Sequence, residues 1–193
     1  MRYLILISLL LCSSCIQIGS PPPQMNYYLL ESMTDTPITY SGCNLNIQMK
    51  LIGFPEYIDR LQIVTHNGNN GINGINFKDS ERWAEPVQDN LIRVVRENLA
   101  QIIPGSAISA GPWESSSHNA VKIELVFNHF SGQLGDHTQI DIRWKINKGP
   151  GQIKQGHFTE QQPIGDEYQD LIIGLNNGIN NLSLELAKYL AVE

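Results

Sequence analysis

Three cysteines and five histidines carry the most reactive side-chain chemistry in this 193-residue chain. Cys12 and Cys15 lie close together near the start, and Cys43 stands alone. A disulfide-built domain needs a denser set than this. His66, His118, His129, His137 and His157 show no metal-ligand spacing. The carboxylate nearest His129 and His137 is Asp136, in a turn between two strands. Ordinary surface imidazoles account for the five histidines, and only a spatial coincidence would assemble a metal site. No G-x-S-x-G, S-x-x-K, H-E-x-x-H or P-loop pattern is present. Gly68, Gly71 and Gly74 belong to an Asn-Gly repeat over Asn67–Asn76. Its spacing is not G-x-G-x-x-G, and no helix start follows to hold a phosphate. Asn-Gly forms tight turns, so this stretch reads as a hairpin tip or loop. Glu81, Glu85, Asp89 and Glu97 suit helix-end electrostatics and a solvated face. The sequence offers no catalytic residue, no cofactor site and no metal site.

The chemistry that remains belongs to a thiol at a processing site. Arg2 supplies one positive charge, Tyr3 to Leu11 is apolar apart from Ser8, and Ser13-Ser14-Cys15 follows. This apolar run is too short to span a bilayer, which takes roughly 20 residues. A charged start, a short apolar centre and small residues before a cut describe a secretory signal. Small residues ending at a cysteine make it a lipoprotein signal, with cleavage before Cys15 and acylation of its thiol. An ordinary secretory signal cut elsewhere is the competing interpretation. Leu11 stands four residues before Cys15 rather than at the preferred three, where Cys12 sits. Cys12 is a poor acceptor itself, because Leu11 before it is too bulky. Several acyl chains anchor stably, at ~0.8 kcal/mol per buried methylene. Ile16, rather than an Asp that would retain a lipoprotein in the inner membrane, points to the outer membrane. Cys43 is a bystander thiol.

The expected organisation is a signal over residues 1–14, a lipidated tether over 15–26 and one domain over 27–193. Pro21-Pro22-Pro23 favours an extended spacer. Hydrophobic residues make up 41% of the chain, enough for a core. The net charge of −6 argues against nucleic acid, which needs a basic stripe. Tyr27–Leu30 and Leu61–Thr65 read as short strands. Leu45, Ile47, Met49 and Leu51 alternate with Asn46, Gln48 and Lys50, which predicts a strand with one dry face. Val87, Leu91, Val94, Val95, Leu99 and Ile102 make one stripe of a helix from about Glu85 to Ile103, stopped by Pro104-Gly105. A short strand at Ala107–Ala110 and a loop through Ser115–Ser117 lead to alternating strands near 121–128, 140–147 and 152–159, an antiparallel meander. A long helix from about Gly165 to Leu190 carries apolar residues at steps of four and three. Its e and g positions are not consistently charged, so it suits a helix laid on a sheet better than a coiled coil. Gly174 and Gly178 fit close helix–sheet approach, with helix dimerisation as the alternative. The fold class is α/β: a mixed sheet with an antiparallel meander, covered by two long amphipathic helices.

Several segments match a known pattern. Asn26-Tyr27-Tyr28-Leu29-Leu30 follows the cysteine closely. Phe54-Pro55-Glu56-Tyr57-Ile58-Asp59-Arg60-Leu61-Gln62-Ile63-Val64-Thr65 comes next, then Arg82-Trp83-Ala84-Glu85-Pro86 leading into the helix, and an amphipathic helix after Tyr168. In this order they resemble the PqiC-type lipoproteins, auxiliary components of ABC-type and MCE-type transport systems. The Asn-Gly repeat departs from that pattern by lengthening one connection. The resemblance implies an α/β fold and a lipoprotein on the periplasmic face of the outer membrane. It also implies a non-enzymatic role in moving lipids or hydrophobic compounds, beside an MCE-domain (PqiB-like) protein and a permease. It leaves a homo-oligomeric ring open. Tyr27, Tyr28, Tyr57, Arg82 and Trp83 are the candidate anchors within these segments, either to a partner or to the core. For Trp83 a core role suits its place just before a helix, and a partner hot spot is the alternative. A periplasmic lipoprotein that binds lipid or a small ligand between apolar strand faces is the competing function.

Overall fold

The computed structural model describes residues 23–67, 74–111 and 120–191. The signal, Cys12, Cys15 and the tether through Pro22 lie outside these, as do the centre of the Asn-Gly repeat, Ser115–Ser117 and His118. Among the described residues, eight strands and two helices follow in the order β1 (Asn26–Tyr28), β2 (Asn46–Gly53), β3 (Gln62–Asn67), β4 (Gly74–Trp83), α1 (Val87–Ile102), β5 (Ala107–Ala110), β6 (Val121–Gly132), β7 (Thr138–Asn147), β8 (Ile153–Glu160) and α2 (Tyr168–Ala191). The sheet is mixed, as the alternating patterns predict. β1 runs parallel to β4, and β2 lies parallel to β5 and β6. β6, β7 and β8 form the antiparallel meander.

β6 organises the sheet. β7 takes one edge along its length, and β2 and then β3 take the other, with Thr65 paired to Gly132 at the far end. A register shift between Phe127 and His129 marks a bulge, which bends and twists the strand so that successive neighbours can share one edge.

The sequence expectation for residues 74–83 needs correction. Gly74 to Asn76 do not belong to a free loop, and Ser80–Trp83 is not merely a lead into the helix. Together they form the ten-residue strand β4, antiparallel to β3. Ile75 and Phe77 are 43% and 44% exposed, so β4 shows no dry face over this half and hides its period from hydropathy. The hairpin expected of the Asn-Gly repeat is present in its arms, Asn67 opposite Gly74. Gln48, expected on a wet face, is buried because β2 sits inside the sheet between β5 and β6. The last helix starts at Tyr168 rather than Gly165. Ile164 N–H and Gly165 C=O are already bonded to Asp136 and Gly135 in the β6–β7 turn, which holds that segment off the helix.

α2 lies across β7, β6 and β8 and also packs on α1, so its apolar seam faces the sheet and a neighbouring helix. Gly174 and Gly178 permit the contact. A Cβ on Gly174 would meet Thr138 Cγ2 at 2.7 Å, and one on Gly178 would meet Ile140 Cδ1. Among the described residues, the buried core runs from Leu30 to Leu190. Among the described residues, no helix is long and apolar enough to cross a membrane.

Two buried polar residues organise the α1 side. Asn90 and Asn98 are 1% and 0% exposed. Asn90 Oδ1 accepts the Leu30 N–H at 2.7 Å, and its Nδ2 donates to the Leu30 carbonyl at 3.0 Å. Asn98 Oδ1 accepts the Met33 N–H at 2.8 Å, while its Nδ2 donates to Asn180 and Ser183 on α2. The non-strand segment after β1 has no ladder, and these asparagines supply the partners its buried backbone requires.

Candidate functional site

β1 is only three residues long and lies at the end of the sheet, yet side chains fix it firmly. Its register sets Tyr27 opposite Arg82 and Tyr28 opposite Trp83. Glu81, 8% exposed, accepts the Tyr28 hydroxyl at 2.8 Å and the Asn26 amide at 3.0 Å. Ser80 adds a third bond at 3.1 Å. Burial pushes the Glu81 carboxyl up, but the bonds from Tyr28, Asn26 and Ser80 and the charge of Lys78 outweigh it and hold the group below its usual range. The Tyr28 phenol is pushed up to about 12, by burial first and then by its bond to that carboxylate and its charge.

Outside this latch runs a groove of about 390 Å³ between β1 and α2. Tyr27, Leu29, Ile172 and Ile173 give it an apolar surface, and Gln169, Asn176 and Asn177 line its polar part. Tyr27 is 62% exposed and Ile173 49%. Exposed apolar side chains grouped in a groove with a polar rim are the usual make-up of a contact site. Glu31 N–H donates to Asn176 Oδ1 at 2.8 Å, closing one end.

The five candidate anchors do not form one site. Tyr27 and Tyr28 belong to the groove. Arg82 is half-buried beside them and donates its Nε–H to the Asp79 carbonyl at 2.7 Å. Trp83 points inward, 5% exposed, with its ring stacked 6.4 Å from Phe130. Tyr57 lies elsewhere, its hydroxyl 3.4 Å from His129 Nδ1 and its ring 6.4 Å from His66. Burial pushes the Tyr57 phenol up.

Folding partly gathers the histidines that the sequence scatters. His66 Nε2 lies 2.6 Å from Ser131 Oγ, and burial, with His129 and His137 nearby, pushes its imidazole down. Among the described residues, no group of three or more His, Cys, Asp or Glu is arranged to hold a metal. Between the helices and the sheet, the void bounded by Phe54, Ile63, Trp83 and Phe130 is about 10 Å³, so side chains fill the space between the apolar faces there.

Sequence reasoning missed Asn90, Asn98, Ile173 and the role of Glu81. Asn90 and Asn98 could have been found as polar residues eight apart on the apolar side of α1, a spacing that returns to one face. Ile173 sits beside Ile172 in a helix whose stripe needs only one of them.

Residues 27–187 match the family described as ABC-type transport auxiliary lipoprotein component. The fold is similar to the crystal structure of an uncharacterized protein, with 19% identity and a TM-score of 0.69, covering 86% of this chain and 98% of the other. It is also similar to a Xanthomonas campestris protein of the DUF330 family, with 14% identity and a TM-score of 0.63, covering 86% and 93%. These likenesses are likenesses of fold. No curated protein matches the sequence.

Proposed function

The chain belongs to the family of ABC-type transport auxiliary lipoprotein components, and from that premise we propose that it docks a periplasmic partner from a lipid anchor in the outer membrane. In this role Cys15 carries the acyl chains, the triple proline sets the reach, and the β1–α2 groove is the contact. The partner is an MCE-domain protein working with a permease, and the cargo is a lipid or another hydrophobic compound. The observation that carries docking is the groove itself. Tyr27, Leu29 and Ile173 are exposed together at the strand that continues directly from the tether. The groove therefore sits at a fixed short chain distance from the anchor, where a partner spanning the periplasm would meet it.

Two experiments test this. Palmitate labelling is lost in Cys15→Ala, and labelling that persists refutes the anchor. A photo-crosslinking side chain at Tyr27 or Ile173 in living cells captures an MCE-domain protein, whereas one at Gln155 on β8 does not. No capture from the groove, or equal capture from both places, refutes docking through this surface.

A further inference from the structure

A second groove lies at the other end of α2. The β7–β8 turn meets the last turn of the helix there and leaves a space of about 440 Å³, within the range of small-molecule sites. Lys148 and Lys154 line it from the hairpin and Lys188 from the helix. A chain of net charge −6 with 13 Lys and Arg has gathered three of them here. Lys188 alone suits a helix C-terminus. Lys154 comes from a different element and has no such explanation.

The rest of the groove is apolar and firmly built. Ile153 is 53% exposed, and the Tyr189 ring 37%. Tyr189 rests on Trp144 at 4.8 Å between ring centres. Trp144 is fixed in turn, because its Nε1–H donates to Glu185 at 2.8 Å and its ring lies over Gly156, where any Cβ would strike it. Glu185 is thereby engaged behind the aromatic pair. Gly151, at φ +75°, lets the turn open without a side chain in the space.

These residues recognise two chemistries at once. Lysine ammonium groups attract a phosphate or carboxylate, and Ile153 with Tyr189 offers a surface for methylenes. A bare anion would leave the apolar surface wet, and a neutral apolar molecule would gain nothing from the charges. We infer that this groove binds the head and first methylenes of an anionic amphiphile, a lipid with a phosphate head. It lies 19 residues along α2 from Gln169 in the β1–α2 groove, about 28 Å at 1.5 Å per residue. The partner surface and the lipid site thus occupy opposite ends of one helix. The physiological meaning of the site rests on the transport function proposed above, but its binding chemistry does not.

The purified protein is titrated with dihexanoylphosphatidylglycerol below its micelle concentration, with dihexanoylphosphatidylcholine, and with glycerol 3-phosphate, by calorimetry and amide NMR. The expected result is saturable binding of the anionic lipid, with shifts centred on Gly151, Ile153, Lys154 and Tyr189. The zwitterionic lipid and glycerol phosphate bind at least about tenfold more weakly. The double variant Lys154→Gln/Lys188→Gln, in exposed side chains, keeps its Tm and loses about tenfold in affinity. Tyr189→Ser weakens the lipid and leaves glycerol phosphate unchanged. No saturation, equal binding of phosphatidylcholine, equal binding of glycerol phosphate, shifts centred elsewhere, or indifference to the lysine variant each overturns the site. Because no partner is present, failure here leaves docking untouched, and failed crosslinking from Tyr27 or Ile173 leaves this binding untouched.

Discussion

Asn90→Ala tests how the segment after β1 is held. In the native chain Asn90 serves both backbone groups of Leu30, a residue that is 0% exposed. Truncation leaves the Leu30 N–H buried without an acceptor, which costs about 1–3 kcal/mol. The carbonyl is protected, since Arg93 also donates to it at 3.3 Å, so the second loss is largely covered. Ala is the better helix former by up to about 0.7 kcal/mol, which offsets part of the cost. The expected net destabilisation is about 1–2 kcal/mol, read from urea unfolding of the purified protein followed by far-UV circular dichroism. Amide exchange at Leu30 should accelerate beyond the global change. Arg93→Gln combined with Asn90→Ala should cost more than the sum of the two, because only the pair strips the carbonyl of both side-chain donors. Asn177→Ala, exposed on α2, is the control and stays within about 0.5 kcal/mol. A change below about 0.3 kcal/mol in Asn90→Ala, with unchanged exchange at Leu30, would show that the amide does not hold the segment.

Other outcomes follow from the same packing. Gly178→Ala drives a Cβ into Ile140. Overpacking at about 1–3 kcal/mol against a helix gain of about 1 gives a net loss of up to about 2 kcal/mol, and Ile140→Val in the same chain should recover most of it. Trp83→Ala should cost about 3–5 kcal/mol and leave crosslinking at Tyr27 in any surviving folded protein, because the ring faces the core. The Glu81 carboxyl titrates lower in the folded chain than in the unfolded one, so its contribution is present above the unfolded value and disappears as pH falls through the folded value. Unfolding followed from pH 7 to pH 3 should show this loss, and Glu81→Gln should reduce the slope; an unchanged slope refutes the latch. Tyr28 shifts the other way. With its phenol at about 12, its contribution is complete below the ordinary tyrosine value of 10.0 and is lost as pH rises from there through about 12.

The elements legible in the sequence are those whose burial repeats with a clean period. α1 and α2 show a 3.6-residue stripe, and β6 and β7 alternate strictly between buried and more exposed positions over Val121–Phe127 and Ile140–Ile146. β4 escaped because its first half is exposed on both faces, so nothing in its hydropathy distinguishes strand from loop. The parallel pairing of β1 with β4 was equally hidden, since a three-residue strand carries no period and its position is set by Glu81, a residue far along the chain. The candidate anchors show the same limit. Tyr27 and Trp83 lie in similar aromatic segments, and only the register that puts Tyr28 beside Trp83 decides which ring faces outward and which joins Phe130 in the core. The Gly174–Gly178 pair was readable because a missing side chain at helical spacing has few physical uses, and close approach to β7 is one of them.

The buried polar groups near β1 make mechanical sense when taken together. Three residues of parallel ladder give β1 few backbone bonds of its own. Glu81 ties Asn26 and Tyr28 to β4, Asn90 ties Leu30 to α1, and Asn98 ties Met33 to α1 and, through Asn180 and Ser183, to α2. The bonds from Asn90 to Leu30 and from Asn98 to Met33 and Ser183 are buried, where breaking them leaves a desolvated group behind and costs more than at the surface. β1 and the segment after it are thereby tied to two helices and the sheet as well as to their own short ladder. Loosening the latch while sparing the groove separates the two effects. In Glu81→Gln, Tyr27 and Ile173 remain in place, but β1 loses its charge-assisted bonds. Crosslinking from Ile173 should then persist, while amide protection at Tyr28 falls; loss of both together would mean that the groove has no structure apart from the latch.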